Sequence, residues 1–141
     1  MRLAVVSLVV AVVAALGAGC ASDDASVADF AEVERIGWVL SAGIDVEGWD
    51  RVPDLSFENG GIDGSTGCNA YIASYSVDGS VLDLELGNMT GLTCPPPGGD
   101  VEAAFVAALE RVEGWAVEDD ELVLLDGSSE ELLRFERRLQ S

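Results

Sequence analysis

The sequence predicts an α+β domain, rich in antiparallel β-strands and carrying one amphipathic helix. Three observations lead to this. Short runs of alternating apolar and polar residues recur from residue 37 to residue 137. Asn-Gly and Asp-Gly steps separate several of them. A single stretch, after a Pro-Gly run, places its apolar residues at helical spacing.

Taken in order, Phe30 to Ile36 leads into a first strand at Gly37-Trp38-Val39-Leu40. Pro53 opens a second at Asp54 to Phe57, where Leu55 and Phe57 alternate with polar neighbours. Glu58-Asn59-Gly60-Gly61 reads as a hairpin turn, because Asn and Gly both tolerate positive φ, and Ile62 to Gly64 is the return strand. Ser65 to Asn69 is a small-residue loop. Ala70 to Val77 follows as a strand with Tyr71, Ala73, Tyr75 and Val77 on one face. Asp78-Gly79 turns the chain into Val81 to Leu86, with Leu82, Leu84 and Leu86 inward and Asp83 and Glu85 outward. The run Pro95 to Gly99 suits neither a helix nor a strand interior. Asp100 is the expected N-cap of a helix over Val101 to Glu113. Its Phe105, Ala108, Leu109 and Val112 share one face, Glu102, Glu110 and Glu113 fall elsewhere, and Gly114 is the expected stop. Trp115 to Val117, Leu122 to Leu125 and Leu132 to Phe135, with the acidic turn Glu118 to Glu121 and the turn Asp126 to Ser128 between them, complete a three-stranded meander. The expected core is Trp38, Leu55, Phe57, Tyr75, Leu84, Phe105, Leu109, Leu124 and Phe135.

Ahead of this domain, Met1 to Ala18 shows one Arg, an apolar run shorter than a bilayer span, and small residues. That is the secretory-signal pattern. Leu16-Gly17-Ala18-Gly19-Cys20 resembles a bacterial lipobox, although Gly17 stands where Leu is usual. The resemblance implies a signal peptide over 1–19 and lipidation of Cys20. Residues 20–36 then hold the anchor and a small acidic tether. Two or more acyl chains would hold the protein firmly at the membrane. The expected location is therefore the cell envelope, lipid-anchored and extracytoplasmic.

Charge narrows the functions open to the chain. It has 26 acidic residues, 7 basic residues, all Arg, and no His. Loss of Arg2 with the leader leaves 26 acids against 6 arginines, a net charge of −20. Such a body repels phosphate backbones, so no nucleic-acid partner is expected. Without His or Lys, Ser-His, Cys-His and Schiff-base schemes are unavailable. No catalytic residue, cofactor or metal site is predicted. The acidic runs Asp23-Asp24 and Glu118 to Glu121 lack the ligand spacing of a calcium loop.

Cys68 and Cys94 form an even pair in an exported domain, which predicts a disulfide. Two buried thiols are the alternative. A redox pair fits less well, because there is no Cys-x-x-Cys and no nearby base.

Gly64-Ser65-Thr66-Gly67-Cys68-Asn69-Ala70-Tyr71 resembles the G-x-x-G-C-N-x-Y/F segment of the META domain, or HslJ-like, family. Met89-Thr90-Gly91-Leu92-Thr93-Cys94 resembles its M-T-x-x-x-C segment. Trp38 to Leu40, Pro53 to Phe57, the helix after the second Cys and the final meander follow in the family's order, over about residues 37–137. The resemblance implies a β-rich domain with no established enzyme activity, found in bacterial lipoproteins, some linked to stress responses. Gly64, Gly67, Asn69, Tyr71 and Thr90 then read as structural. Family members often carry a basic residue after the Asn and after the Thr, where this chain has Ala70 and Gly91. The expected function is a non-catalytic envelope lipoprotein module, monomeric, binding an unidentified envelope protein or small ligand. A structural subunit of an envelope complex is the alternative, and an enzyme or enzyme inhibitor the least favoured. Trp49 stands outside the strand pattern and is a candidate contact or core residue.

Overall fold

A computed structural model describes residues 28–139. The expected signal peptide, Cys20 and the tether through Val27 lie outside these residues. Among the described residues, eight strands run in chain order around a closed antiparallel barrel: β1 (Gly37–Ala42), β2 (Asp54–Glu58), β3 (Gly61–Ser65), β4 (Ala70–Asp78), β5 (Val81–Met89), β6 (Gly114–Glu118), β7 (Glu121–Leu125) and β8 (Glu131–Arg137). One helix, α1 (Gly98–Leu109), is inserted between β5 and β6.

Local chemistry sets most of the turns. Asn59 and Gly60 both take positive φ, 49° and 80°, which matches the turn to the right-handed twist of β2 and β3. Asp119 and Asp120 do the same between β6 and β7, at 51° and 64°. Here two aspartates fill positions more often held by Asn-Gly, and both point to solvent. Closure brings β1 beside β8, with Leu40 opposite Phe135. Inside, Trp38, Leu55, Phe57, Ile62, Leu82, Leu122, Leu124, Leu133 and Phe135 are buried, and the helix adds Phe105 and Leu109. Each such side chain contributes about 1.5–3 kcal/mol on burial.

Each barrel end has its own cover. At the end holding the Asn59-Gly60 turn, a 3₁₀ turn at Phe30–Glu32 places Phe30 against Phe57, Tyr75 and Trp115, at ring separations of 5.2, 5.4 and 4.9 Å. Asp29 caps this turn through the Ala31 N–H, and Val33 is fully buried. At the other end Phe105 of α1 meets Tyr71 and Phe135.

Several expectations need correction. The domain begins before residue 37, because Phe30 and Val33 are core residues. The tether assigned to 20–36 therefore ends earlier. The helix starts at Gly98, not Val101, and ends at Leu109, not Glu113. Asp100 lies in its first turn, and the cap position belongs to Pro97. Beyond the helix the N–H groups of Arg111 and Val112 bond three residues back, to Ala108 and Leu109, and the Glu113 N–H donates to the Leu125 carbonyl at 2.9 Å in place of Leu109, so the helical ladder ends. Gly114 accordingly begins β6 and does not end the helix. Of the expected core, Tyr75 and Leu84 are half-buried.

Candidate functional site

The family-like segments meet at the barrel end covered by α1. Gly64 stands in β3 opposite Tyr71 of β4. A side chain at Gly64 would strike the Asp54 carbonyl and the Tyr71 ring, so the strands cross only with glycine there. The Tyr71 hydroxyl donates to the Asp54 carbonyl at 3.2 Å. Burial, and then the nearby Asp54 carboxylate, push this phenol far above its ordinary pKa.

After β3 the chain turns through Thr66 and Gly67. Thr66 is fully buried, and its Oγ1 accepts from the backbone N–H of Cys68 at 3.2 Å and of Asn69 at 2.8 Å. Gly67 takes φ +90°, and a Cβ there would lie 2.6 Å from the Arg51 carbonyl. Asn69, 3% exposed, uses all four hydrogen-bonding positions of its amide. Oδ1 accepts from Thr90 Oγ1 at 2.8 Å and from Leu92 N–H at 2.7 Å. Nδ2 donates to the Leu92 carbonyl at 3.1 Å and to Glu102 Oε2 at 2.8 Å. Glu102 Oε2 also accepts from Thr66 Oγ1 at 2.5 Å. Thr90 Oγ1 in turn accepts from Ala70 N–H at 3.1 Å.

The Cys68–Cys94 disulfide is formed, with Cα atoms 5.9 Å apart. Over it lies Trp49, half-buried, whose Nε1 donates to the Gly67 carbonyl at 2.9 Å. The Trp49 ring packs against Gly98, where a Cβ would come within 2.5 Å of it. Trp49 is thus a strut that joins the β1–β2 connection to the bridge and the helix start. It also lines a shallow cleft of about 430 Å³ with Arg51, Leu92, Thr93 and Pro95. Leu92 is 64% exposed at its rim.

The structure therefore brings Gly64, Gly67, Cys68, Asn69, Tyr71, Thr90 and Cys94 into one cluster. Sequence reasoning missed Glu102, which it placed away from the packed face. One acid among 26 carries no distinguishing mark. Ala70 and Gly91, which follow the Asn and the Thr of the two segments, are both exposed and lie beside the bond from Thr90 N–H to the Ala70 carbonyl. Chemically, the cluster joins two loops and a helix, and its polar side-chain groups bond to one another. Among the described residues, no group of three or more His, Cys, Asp or Glu side chains is placed to hold a metal ion.

Comparison with known proteins agrees with this layout. A family model described as the META domain matches residues 31–139. No curated protein matches the chain. Among solved structures, an NMR structure of a protein from Burkholderia xenovorans is 24% identical, with a TM-score of 0.58 over 78% of this chain and 86% of that one. The crystal structure of a DUF4847 family protein from Bacteroides vulgatus is 12% identical, with a TM-score of 0.62 over 79% of this chain and 99% of that one. At these identities the likeness establishes a shared fold.

Proposed function

Because the chain belongs to the META domain family, we propose that it works as a non-catalytic module of the cell envelope. In this reading Cys20 carries lipid, the barrel stands outside the cytoplasm, and it binds an unidentified envelope protein or small ligand. The observation that carries the reading is the Cys68–Cys94 bridge, locked into the Asn69 network. A disulfide tied into the fold suits an oxidising compartment, and the lipobox-like Leu16 to Cys20 offers a route there. Support for a binding role comes from the same cluster. Its buried polar groups hold one another, while Trp49, Arg51 and Leu92 line the cleft above them. A binding role is favoured over that of a structural subunit because Trp49, Arg51 and Leu92 meet in a cleft that offers apolar and polar groups together. A role under envelope stress is part of the same proposal and rests on the sequence resemblance alone.

The test is the intact mass of the protein taken from its native membrane, with thiols alkylated before and after reduction. The expected result is Cys20 to Ser141 plus acyl chains, with two further alkylations after reduction. An unlipidated chain, or two thiols reactive without reductant, overturns the reading.

A further inference from the structure

Among the described residues, β5 pairs with β6 at one position, Val81 opposite Gly114. The Leu82 N–H still reaches the Glu113 carbonyl at 3.1 Å. From there β5 continues to Met89 with β4 on one side and no described strand on the other. Alternation tells which residues face that open side. Tyr75, opposite Leu84, turns its N–H away from β5 to the Gly60 carbonyl at 2.9 Å. Leu84 therefore turns its own N–H and C=O away from β4, and Leu82 and Leu86 follow at the same period. Leu82 finds Glu113. For Leu84 and Leu86 the described residues supply no backbone partner.

The side chains along this edge divide by face. Leu84 and Leu86 pack against the core yet remain half-buried, whereas Leu82, where the seam is closed, is fully buried. Asp83 and Glu85 lie on the outer face and are exposed. Towards β6 the edge opens into a cleft of about 510 Å³ whose lining includes Asp83, Glu113 and Asp126.

We propose that the open edge of β5 receives an extended polypeptide segment of a partner protein, alternating apolar and basic residues. Its backbone would pair with Leu84 and Leu86, its apolar side chains would complete the half-buried face, and its Lys or Arg side chains would meet Asp83, Glu85 and the acidic cleft. Charge selects this occupant. A second copy would set Asp83 and Glu85 of two chains, each of net charge −19, against one another. The chain's own Ala21 to Asp29 is acidic as well. The inference deepens the binding role proposed above and rests on it, but it does not depend on lipid. An unlipidated mass defeats the envelope reading and leaves this edge to be judged by its own experiment.

That experiment titrates the full-length chain with a synthetic peptide alternating Val and Lys, and with its Val/Glu counterpart, while following amide exchange residue by residue. The Val/Lys peptide is expected to bind, to slow exchange at Leu84 and Leu86, and to weaken as salt is raised. The Val/Glu peptide is expected to leave both amides unchanged. Glu85→Lys should weaken binding by about tenfold or more. Leu84→Pro removes a donor that β4 does not use and should abolish binding. Glu85→Lys, at an exposed position, answers the question if Leu84→Pro does not fold. Absence of binding, equal binding of both peptides, protection confined to other amides, or full affinity in Glu85→Lys overturns the proposal. Protection of Leu84 and Leu86 that grows with protein concentration alone also overturns it, in favour of a second copy.

Discussion

The side-chain amide of Asn69 donates to the carboxylate of Glu102 at 2.8 Å across 33 residues of chain. This bond ties the loop before β4 to the first turns of α1, and Thr66 closes the triangle by donating to the same carboxylate oxygen. Asn69→Ala removes four bonds at once and leaves the Leu92 N–H and C=O without this partner. An expected loss of about 2–4 kcal/mol follows, since each orphaned buried group costs about 1–3 kcal/mol. Urea unfolding measures it, and a loss below about 1 kcal/mol would mean that water replaces the amide at little cost.

The bridge that shares this loop closes a 26-residue separation. In the chain-entropy model that is worth roughly 3.5 kcal/mol. Reduction, or the paired change of Cys68 and Cys94 to Ala, should lower the unfolding free energy by about this amount. Unfolding midpoints with and without reductant give the answer directly.

Phe30→Ala should cost about 3–5 kcal/mol, the range for emptying a buried aromatic site. The side chain sits among three aromatic rings and is 8% exposed. A chain beginning at Gly37 loses Phe30 and Val33 together and should be less stable still. Thermal melts of the two forms against the intact chain test this. Equal stability would return residues 28–36 to the tether.

Both tyrosines of the chain should titrate late. Burial, and then the hydrogen bond to Glu34, push the Tyr75 hydroxyl up to about 12, and Tyr71 is pushed further in the same direction. Because both folded values lie above the unfolded one, the stability they contribute is fully present below about pH 10. It is lost as pH rises from there through Tyr75's value. Phenolate absorbance followed against pH should show no ionisation near 10 in the folded protein, and ionisation near 10 in urea. A phenol that ionises near 10 in the folded state would show that burial does not raise it as the structure requires.

Much of the strand order was legible in the sequence, for a physical reason. Leu55 and Phe57, or Leu82 and Leu84, alternate because the barrel has one inside and one outside, and Asn59-Gly60 can hardly be anything but a turn. β7 shows where that logic fails. Leu122, Val123 and Leu124 are all buried, so alternation alone misjudges Val123, which lies opposite Arg134. That Arg is held by Glu118, Glu121 and Glu131 at 2.8–3.0 Å. The helix ends are not legible in the sequence because tertiary contacts decide them: the fit of Trp49 on Gly98 at one end, the bond from Glu113 N–H to the Leu125 carbonyl at the other. Within the candidate site, Cys68, Cys94 and Asn69 stood out as rare residue types in a recognisable order. Glu102 did not, since its role depends on which way a helix faces. The lone β5–β6 pair left no trace in the sequence, because an unpaired edge is written in the same residues as a paired one.

The pairing of β1 with β8 has a mechanical side. Arg138 N–H donates to the Gly37 carbonyl at 2.7 Å, so the chain enters and leaves the barrel at neighbouring points. Tension applied between the two ends would load this ladder one rung at a time, as in opening a zip, and antiparallel neighbours resist that geometry poorly. Tension applied at the first end alone would pass through the Phe30 turn and leave the ladder unloaded. Held by one end, the barrel is a pendant that keeps its shape under pull. Stretched between two, it should peel from the β1–β8 seam first.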